Sequence, residues 1–369
     1  MIIDRNSPIP NYFQLQNWLR EQIEQGVFKT GDKIPTEGEL SQITGLARAT
    51  IRQAIQNLVN MGLVVRKRRL GTFVIKKTPT SKNQTIVGLL IPDIRQGYAP
   101  ILARGVQDEA AKNNQSIILC DTDDLFVRAD YHADRMIENS VSGVIFVPTA
   151  VSNTKNKIIL DKLKHNNIPV VLVYRTIPYI YMDYVTTDNV KGAYEITNYL
   201  IQRGHTRIAI TLSTLISTER DRLKGYKQAL QDNKIQIDEQ LIMTQNGPFS
   251  EGRYIKIAER IFQADLNITA VFAGHDRIAL VFFAQAQKLG ISIPNDISIV
   301  GYDDQDFSMI ALTTMHQPIY EMGQESMKLI MSRINGDESE PKKIILKSYL
   351  VERSSVLRNF KQNNKRKSK

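Results

Sequence analysis

The chain has 369 residues, 42% hydrophobic and 23% charged, so two or three compact units are expected rather than one domain or a disordered chain. No stretch has the ~18 unbroken apolar residues of a membrane span, Met1–Pro10 has no export-type apolar core, and one cysteine, Cys120, excludes an internal disulfide and multi-cysteine zinc sites. A cytoplasmic protein without cofactor or membrane partner is the expectation. The net charge of +10 is uneven: residues 1–82 hold 13 Lys/Arg against 6 Asp/Glu, and 358–369 add 6 cations and no acid. A basic head on a mildly acidic body suits a nucleic-acid-binding module joined to a different kind of domain.

In chain order, Tyr12–Glu24 carries Phe13, Leu15, Trp18, Leu19 and Ile23 at roughly helical spacing and stops near Gly26. Pro35-Thr36-Glu37-Gly38-Glu39 reads as a capping box opening a short helix that ends at Gly45. A third helix runs from about Arg48 to Met61, with Ile51, Ala54, Ile55 and Leu58 inward. Leu63–Arg66 and Thr72–Ile75 are β-rich and joined across Lys67–Gly71, a hairpin. Three helices and a hairpin predict a winged helix-turn-helix over 1–75, and polar 76–84 a linker.

From Thr85 the pattern alternates strand and helix, through strands such as Ile86–Ile91, Gly143–Val147, Arg207–Leu212 and Ile297–Tyr302. The fold class expected is α/β, with parallel sheets in two lobes spanning 85–357. Lobe 1 is placed at about 85–186 and 318–336, lobe 2 at about 187–316 and 344–357, ahead of a basic tail, 358–369. Ligands in such sheets sit beyond the carboxyl ends of the strands, so the cleft between lobes is the candidate site.

Arg48 and Arg52 share one face of the third helix, the geometry that aims guanidiniums into a major groove. The wing tip Lys67-Arg68-Arg69 suits the phosphate backbone or the adjacent minor groove. The plainer alternative is a solvated polar face. The segments Lys33-Ile-Pro-Thr-Glu37-Gly-Glu39-Leu40, Arg48-Ala-Thr-Ile-Arg52-Gln-Ala54 and Gly71-Thr-Phe73 resemble a GntR-type DNA-binding domain. The resemblance implies DNA-facing roles for Glu37, Arg48, Thr50 and Arg52 and for the wing, Arg68, Arg69 and Gly71. Gly38, Ala47 and Arg69 depart from the usual pattern, which implies an operator unlike the common family sites.

In the second part, Asp188 and Asp303 follow strand-like runs and Arg222 lies in Glu219-Arg-Asp-Arg222. Carboxylates and a guanidinium at strand ends suit a polyhydroxylated ligand, and Phe249 or Tyr98 suits a sugar face. Each has a plainer alternative: a helix-capping Asp, a surface ion pair, a core aromatic. Gly105-Val-Gln-Asp-Glu109, Ile168-Pro-Val-Val-Leu-Val-Tyr-Arg175, Arg222-Leu-Lys-Gly-Tyr226, Asp296–Asp304 and Leu312–Gln317 resemble the LacI/GalR effector domain, over about 85–355. That resemblance implies ligand contacts at Tyr98, Arg175, Asp188, Arg222, Phe249, Asp303 and Gln317. His275 stands where that family usually has Asn, either facing the cleft or turned away.

A GntR-type head on a LacI/GalR-type sensor is the combination of arabinose-repressor-like regulators. It implies a homodimer on a pseudo-palindromic double-stranded DNA operator and a small sugar effector, arabinose or a related pentose first. Two rivals are weaker. A transport binding protein has no use for the basic head, and an enzyme lacks support in a chain without a Gly-x4-Gly-Lys-Ser/Thr loop.

Overall fold

The computed structural model describes residues 3, 10–60, 63–67, 70–75, 85–213, 216–263, 266–306 and 310–359. The chain divides into two compact units, 1–84 and 85–369. In the first, α1 (Asn11–Glu24), α2 (Glu37–Thr44) and α3 (Arg48–Asn60) precede β1 (Val64–Lys67) and β2 (Gly71–Val74). The capping box opens α2 as expected: the Glu39 amide donates to Thr36 Oγ1 at 3.3 Å, and the Thr36 amide to Glu39 Oε2 at 2.7 Å. Gly45, at φ 66°, closes it. Leu15, Leu19, Leu40, Ile51, Ala54, Ile55 and Leu58 are buried together, whereas Phe13, expected on the inner stripe, is exposed. Strands β1 and β2 pair antiparallel, Val64 opposite Val74 and Lys67 opposite Gly71. Of the wing tip, Arg68 and Arg69 lie outside the described residues, as do the linker and most of the basic tail.

The second unit has two lobes, each with a six-stranded sheet. The first begins β3 (Ile86–Ile91), α4 (Ala99–Lys112), β4 (Ser116–Asp121), α5 (Phe126–Glu138), β5 (Gly143–Phe146), α6 (Asn153–His165), β6 (Val170–Val173) and β7 (Tyr184–Thr187). The second comprises α7 (Asn189–Gln202), β8 (Ile208–Leu212), α8 (Ser217–Asp232), β9 (Ile242–Thr244), α9 (Glu251–Gln263), β10 (Ala270–Ala273), α10 (Asp276–Leu289), β11 (Ser298–Asp303) and β12 (Thr313–His316). The chain then returns through α11 (Ile319–Ile334) and β13 (Lys343–Leu346) to the first lobe, and ends in the second with β14 (Tyr349–Val351).

The sheet orders are β13-β7-β6-β5-β3-β4, all parallel, and β14-β12-β11-β10-β8-β9, parallel except at β14. The central strands of the first sheet, β5 and β6, are apolar runs because both faces are covered: α4 and α11 on one side, α5 and α6 on the other. Helices α4 and α11 approach so closely that a Cβ on Gly105 would collide with the Tyr320 carbonyl, and one on Gly323 with that of Leu102. Among the described residues no helix is long and apolar enough to cross a membrane.

One boundary needs correction. Residues 344–357 were expected in lobe 2, but β13 lies beside β7 in the first sheet, Ile344 opposite Val185, and only β14 joins the second. The chain therefore passes between lobes a third time, at 347–348, besides the crossings after β7 and β12.

Candidate functional site

Each unit presents a polar face. In the first, Arg48 opens α3 and is exposed. Arg52, one turn on, donates from Nε and Nη2 to the two oxygens of Glu37, at 3.3 and 3.1 Å. Those bonds hold its guanidinium still more firmly charged. Arg66 reaches the same carboxylate at 3.8 Å and donates to the Arg52 carbonyl. Glu37 thus ties α2 to α3 and β1, and orients Arg52 rather than adding a donor of its own. Thr50 is half-buried on the first turn of α3. Gly71 has φ 120°, a backbone conformation that residues with a Cβ rarely adopt, so the wing strand starts where glycine is favoured. Arg66 escaped the sequence reading because a strand cation carries no local signal.

In the second unit a cavity of about 410 Å³ lies between the lobes, at the carboxyl ends of the strands. The first lobe supplies Asp93, Tyr98, Asp124, Tyr174 and Arg175 to its wall. The second supplies Ser213, Thr218 and Glu219, then Phe249, His275, Arg277 and Asp303. Tyr98 stacks on Tyr174 at 3.6 Å between centroids, and Tyr174 Oη donates to Asp303 across the cleft at 3.0 Å. Arg277 lies 4.1 Å over the Phe249 ring and 3.5 Å from Asp93 of the facing lobe.

Most of the charges are matched inside protein. Arg175 donates to both oxygens of Asp124, at 2.6 and 3.2 Å, and to the Pro148 carbonyl. Arg222, fully buried, donates to Asn189 Oδ1, to the Gly274 carbonyl, to Tyr174 Oη and, at 3.4 Å, to Asp303. Gln317 donates to the same Asp303 oxygen at 2.6 Å and bonds Thr187, so residues at two interlobe crossings meet behind one carboxylate. Burial pushes the Asp303 carboxyl up against the pull of Arg222 and Gln317. It drives His275 well below 6.5, helped by nearby arginines, which leaves a neutral imidazole. Among the described residues, four buried polar atoms of the wall have no partner: Tyr98 Oη, Arg175 Nε, Ser213 Oγ and Thr218 Oγ1.

Of the expected contacts, Tyr98, Arg175, Phe249, His275 and Asp303 line the cavity. Arg222 and Gln317 stand behind its wall and position Asp303. Asp188 is a correction: it is exposed, and its carboxylate takes the Lys191 amide as the N-cap of α7, because β7 ends where that helix begins. His275 faces the cavity, its ring 5.7 Å from Phe249. Tyr174, Asp124, Glu219 and Arg277 were missed. Among the described residues no cluster of three or more His, Cys, Asp or Glu could hold a metal ion.

Residues 11–74 match the bacterial regulatory proteins of the gntR family, and 197–356 match the periplasmic binding protein-like domain. A LacI family transcriptional regulator from Enterococcus faecium, solved with bound ribose, is 31% identical, covering 74% of this chain and 100% of that one, with a TM-score of 0.66. The chain belongs to the LacI family of transcriptional regulators and carries a GntR-type head. The arabinose metabolism transcriptional repressor of Geobacillus stearothermophilus is similar along nearly the whole length, 27% identical over 337 residues, 89% of this chain and 93% of that protein. Catabolite control protein A of Priestia megaterium is 28% identical over 310 residues, covering 80% and 92%. As a LacI-family regulator the chain has two separate polar faces to explain, one exposed and basic, the other enclosed between lobes.

Proposed function

We propose that this regulator is a cytoplasmic, non-catalytic repressor of sugar-utilisation genes that binds a pseudo-palindromic operator as a homodimer. A neutral sugar entering the interlobe cavity releases it, with arabinose or a related pentose first among candidates. The proposed organisation is a head at 1–75, a linker at 76–84, a sensor at 85–357 and a basic tail.

The observation that carries the ligand class is the wall itself. Its guanidiniums are already matched, Arg175 to Asp124 and Arg95 and Arg277 to Asp93, while the hydroxyls of Tyr98, Ser213 and Thr218 and Arg175 Nε have no partner among the described residues. Such a wall offers hydrogen bonds but little net attraction for an anion. Phe249 and Tyr98 add apolar surface for a sugar ring. The Enterococcus relative's ribose and the Geobacillus relative's name both point to pentoses.

On the head, Arg48 and Arg52 enter the major groove, Thr50 and Gly71 face the backbone, and Arg68 and Arg69 follow it. Sugar closes the lobes about the crossings and shifts the dimer away from its operator-binding state; by linkage, operator weakens sugar binding equally. The test is a thermal-shift screen against L-arabinose, D-ribose, D-xylose, hexoses and sugar phosphates. A ligand at 100 times its Kd adds about 2.7 kcal/mol of stability. The expected hit is a neutral pentose that also frees operator DNA; a response confined to phosphorylated compounds overturns the ligand class.

A further inference from the structure

Glu219 sits on the first turn of α8, 2% exposed, in the cavity wall. Its Oε2 takes the Ser213 amide at 2.6 Å. Asp93, Asp124 and Asp303 in the same wall are each matched to an arginine, but among the described residues no cation pairs with Glu219. The buried hydroxyls of Ser213 and Thr218, in the same lobe, have no hydrogen-bond partner among the described residues. An enclosed carboxylate with unanswered hydroxyls beside it is costly unless something supplies donors.

We infer that Glu219, with Ser213 and Thr218, is a specificity-determining contact that reads adjacent hydroxyl groups of a neutral ligand. The inference rests on the sugar-sensor reading and names residues that no sequence pattern pointed to. The groups facing Glu219 are Arg222 on its own helix, Arg175 after β6, Asp303 at the end of β11 and Tyr254 on α9. Burial drives its carboxyl up to about 7 against the pull of Arg222, Ser213 and Arg175, so it can accept from one hydroxyl or donate to another. An anionic substituent at this end meets a carboxylate.

The test is calorimetric titration of the full-length protein, wild type, E219Q and T218V, with L-arabinose, D-ribose and D-xylose, which differ in hydroxyl configuration. E219Q is expected to weaken the preferred sugar about tenfold or more, the loss of a hydrogen bond to a charged group. It should also change the affinity ratios among the three sugars, and T218V should do so to a smaller degree. Unchanged sugar-free operator binding shows that both variants are folded. Equal weakening toward all three sugars, or none, overturns the Glu219 assignment alone. Wild-type protein that binds no neutral sugar overturns the sensor reading together with it.

Discussion

In the head, Arg52 stands in water, its side chain 63% exposed beside a Glu37 that is 31% exposed. In the sensor, Arg222 and Asp303 are 1% and 2% exposed and bond to each other, to Tyr174 and to the backbone. An exposed pair contributes little to folding, so Arg52 can exchange Glu37 for a phosphate or a base edge at small cost. A buried pair cannot let go: removing one member strands the other in a medium that does not solvate it. The head keeps recognition separate from stability, and the sensor builds recognition out of its fold.

Substitutions can break that contrast. The largest effect is expected for Arg222→Met, which leaves Asp303 unpaired: about 3–5 kcal/mol lost from the sensor, read from the denaturant midpoint. Operator binding should persist without response to sugar, and a loss within the surface-pair range would erase the contrast. Asp276, buried at the start of α10, has its carboxyl raised by burial from 3.8 to about 8. Folding favours its protonated form, so its contribution is fully present below about pH 4 and is lost as pH rises through about 8. D276N should flatten stability against pH over that window, and an unaltered profile would remove Asp276 as the cause.

The reverse behaviour is expected at the head. Arg52→Ala should weaken operator binding by about 1–3 kcal/mol while moving stability by no more than about 0.5 kcal/mol; matching gel-shift and denaturation measurements decide it. The smallest effect belongs to Arg277→Gln. Its bond to Asp93 joins the lobes, yet both side chains keep some exposure, 17% and 16%. A change of roughly 1 kcal/mol or less, shrinking as salt is added, is expected from melts at two ionic strengths.

The head was legible because its signals are local. A capping box spans four residues, Arg48 and Arg52 are one turn apart, and the hairpin closes over a few positions. Cavity partners are far apart in sequence: Asp124 and Arg175 by 51 positions, Arg222 and Asp303 by 81. No periodicity links such residues, so Asp124, Tyr174 and Glu219 went unseen even where Asp303 was found at its strand end and Arg175 by resemblance. Asp188 shows the opposite failure, since a strand-end Asp looks the same whether it caps a helix or meets a ligand. Strand β13 was misplaced for a related reason: the short apolar run Ile344-Ile345-Leu346 does not say which of two sheets receives it.

The three crossings between lobes govern the order in which the protein can be made. Strand β7 has no β13 beside it until residue 346 has been synthesised, and β12 has no β14 until residue 351. The first lobe also waits for α11, which covers the face it shares with α4. Neither half of the sensor is complete when its own first stretch leaves the ribosome, and the two finish almost together. A nonsense codon between Thr85 and Ile319 would therefore strip strands or helices from both lobes at once and leave the segment encoding the head intact.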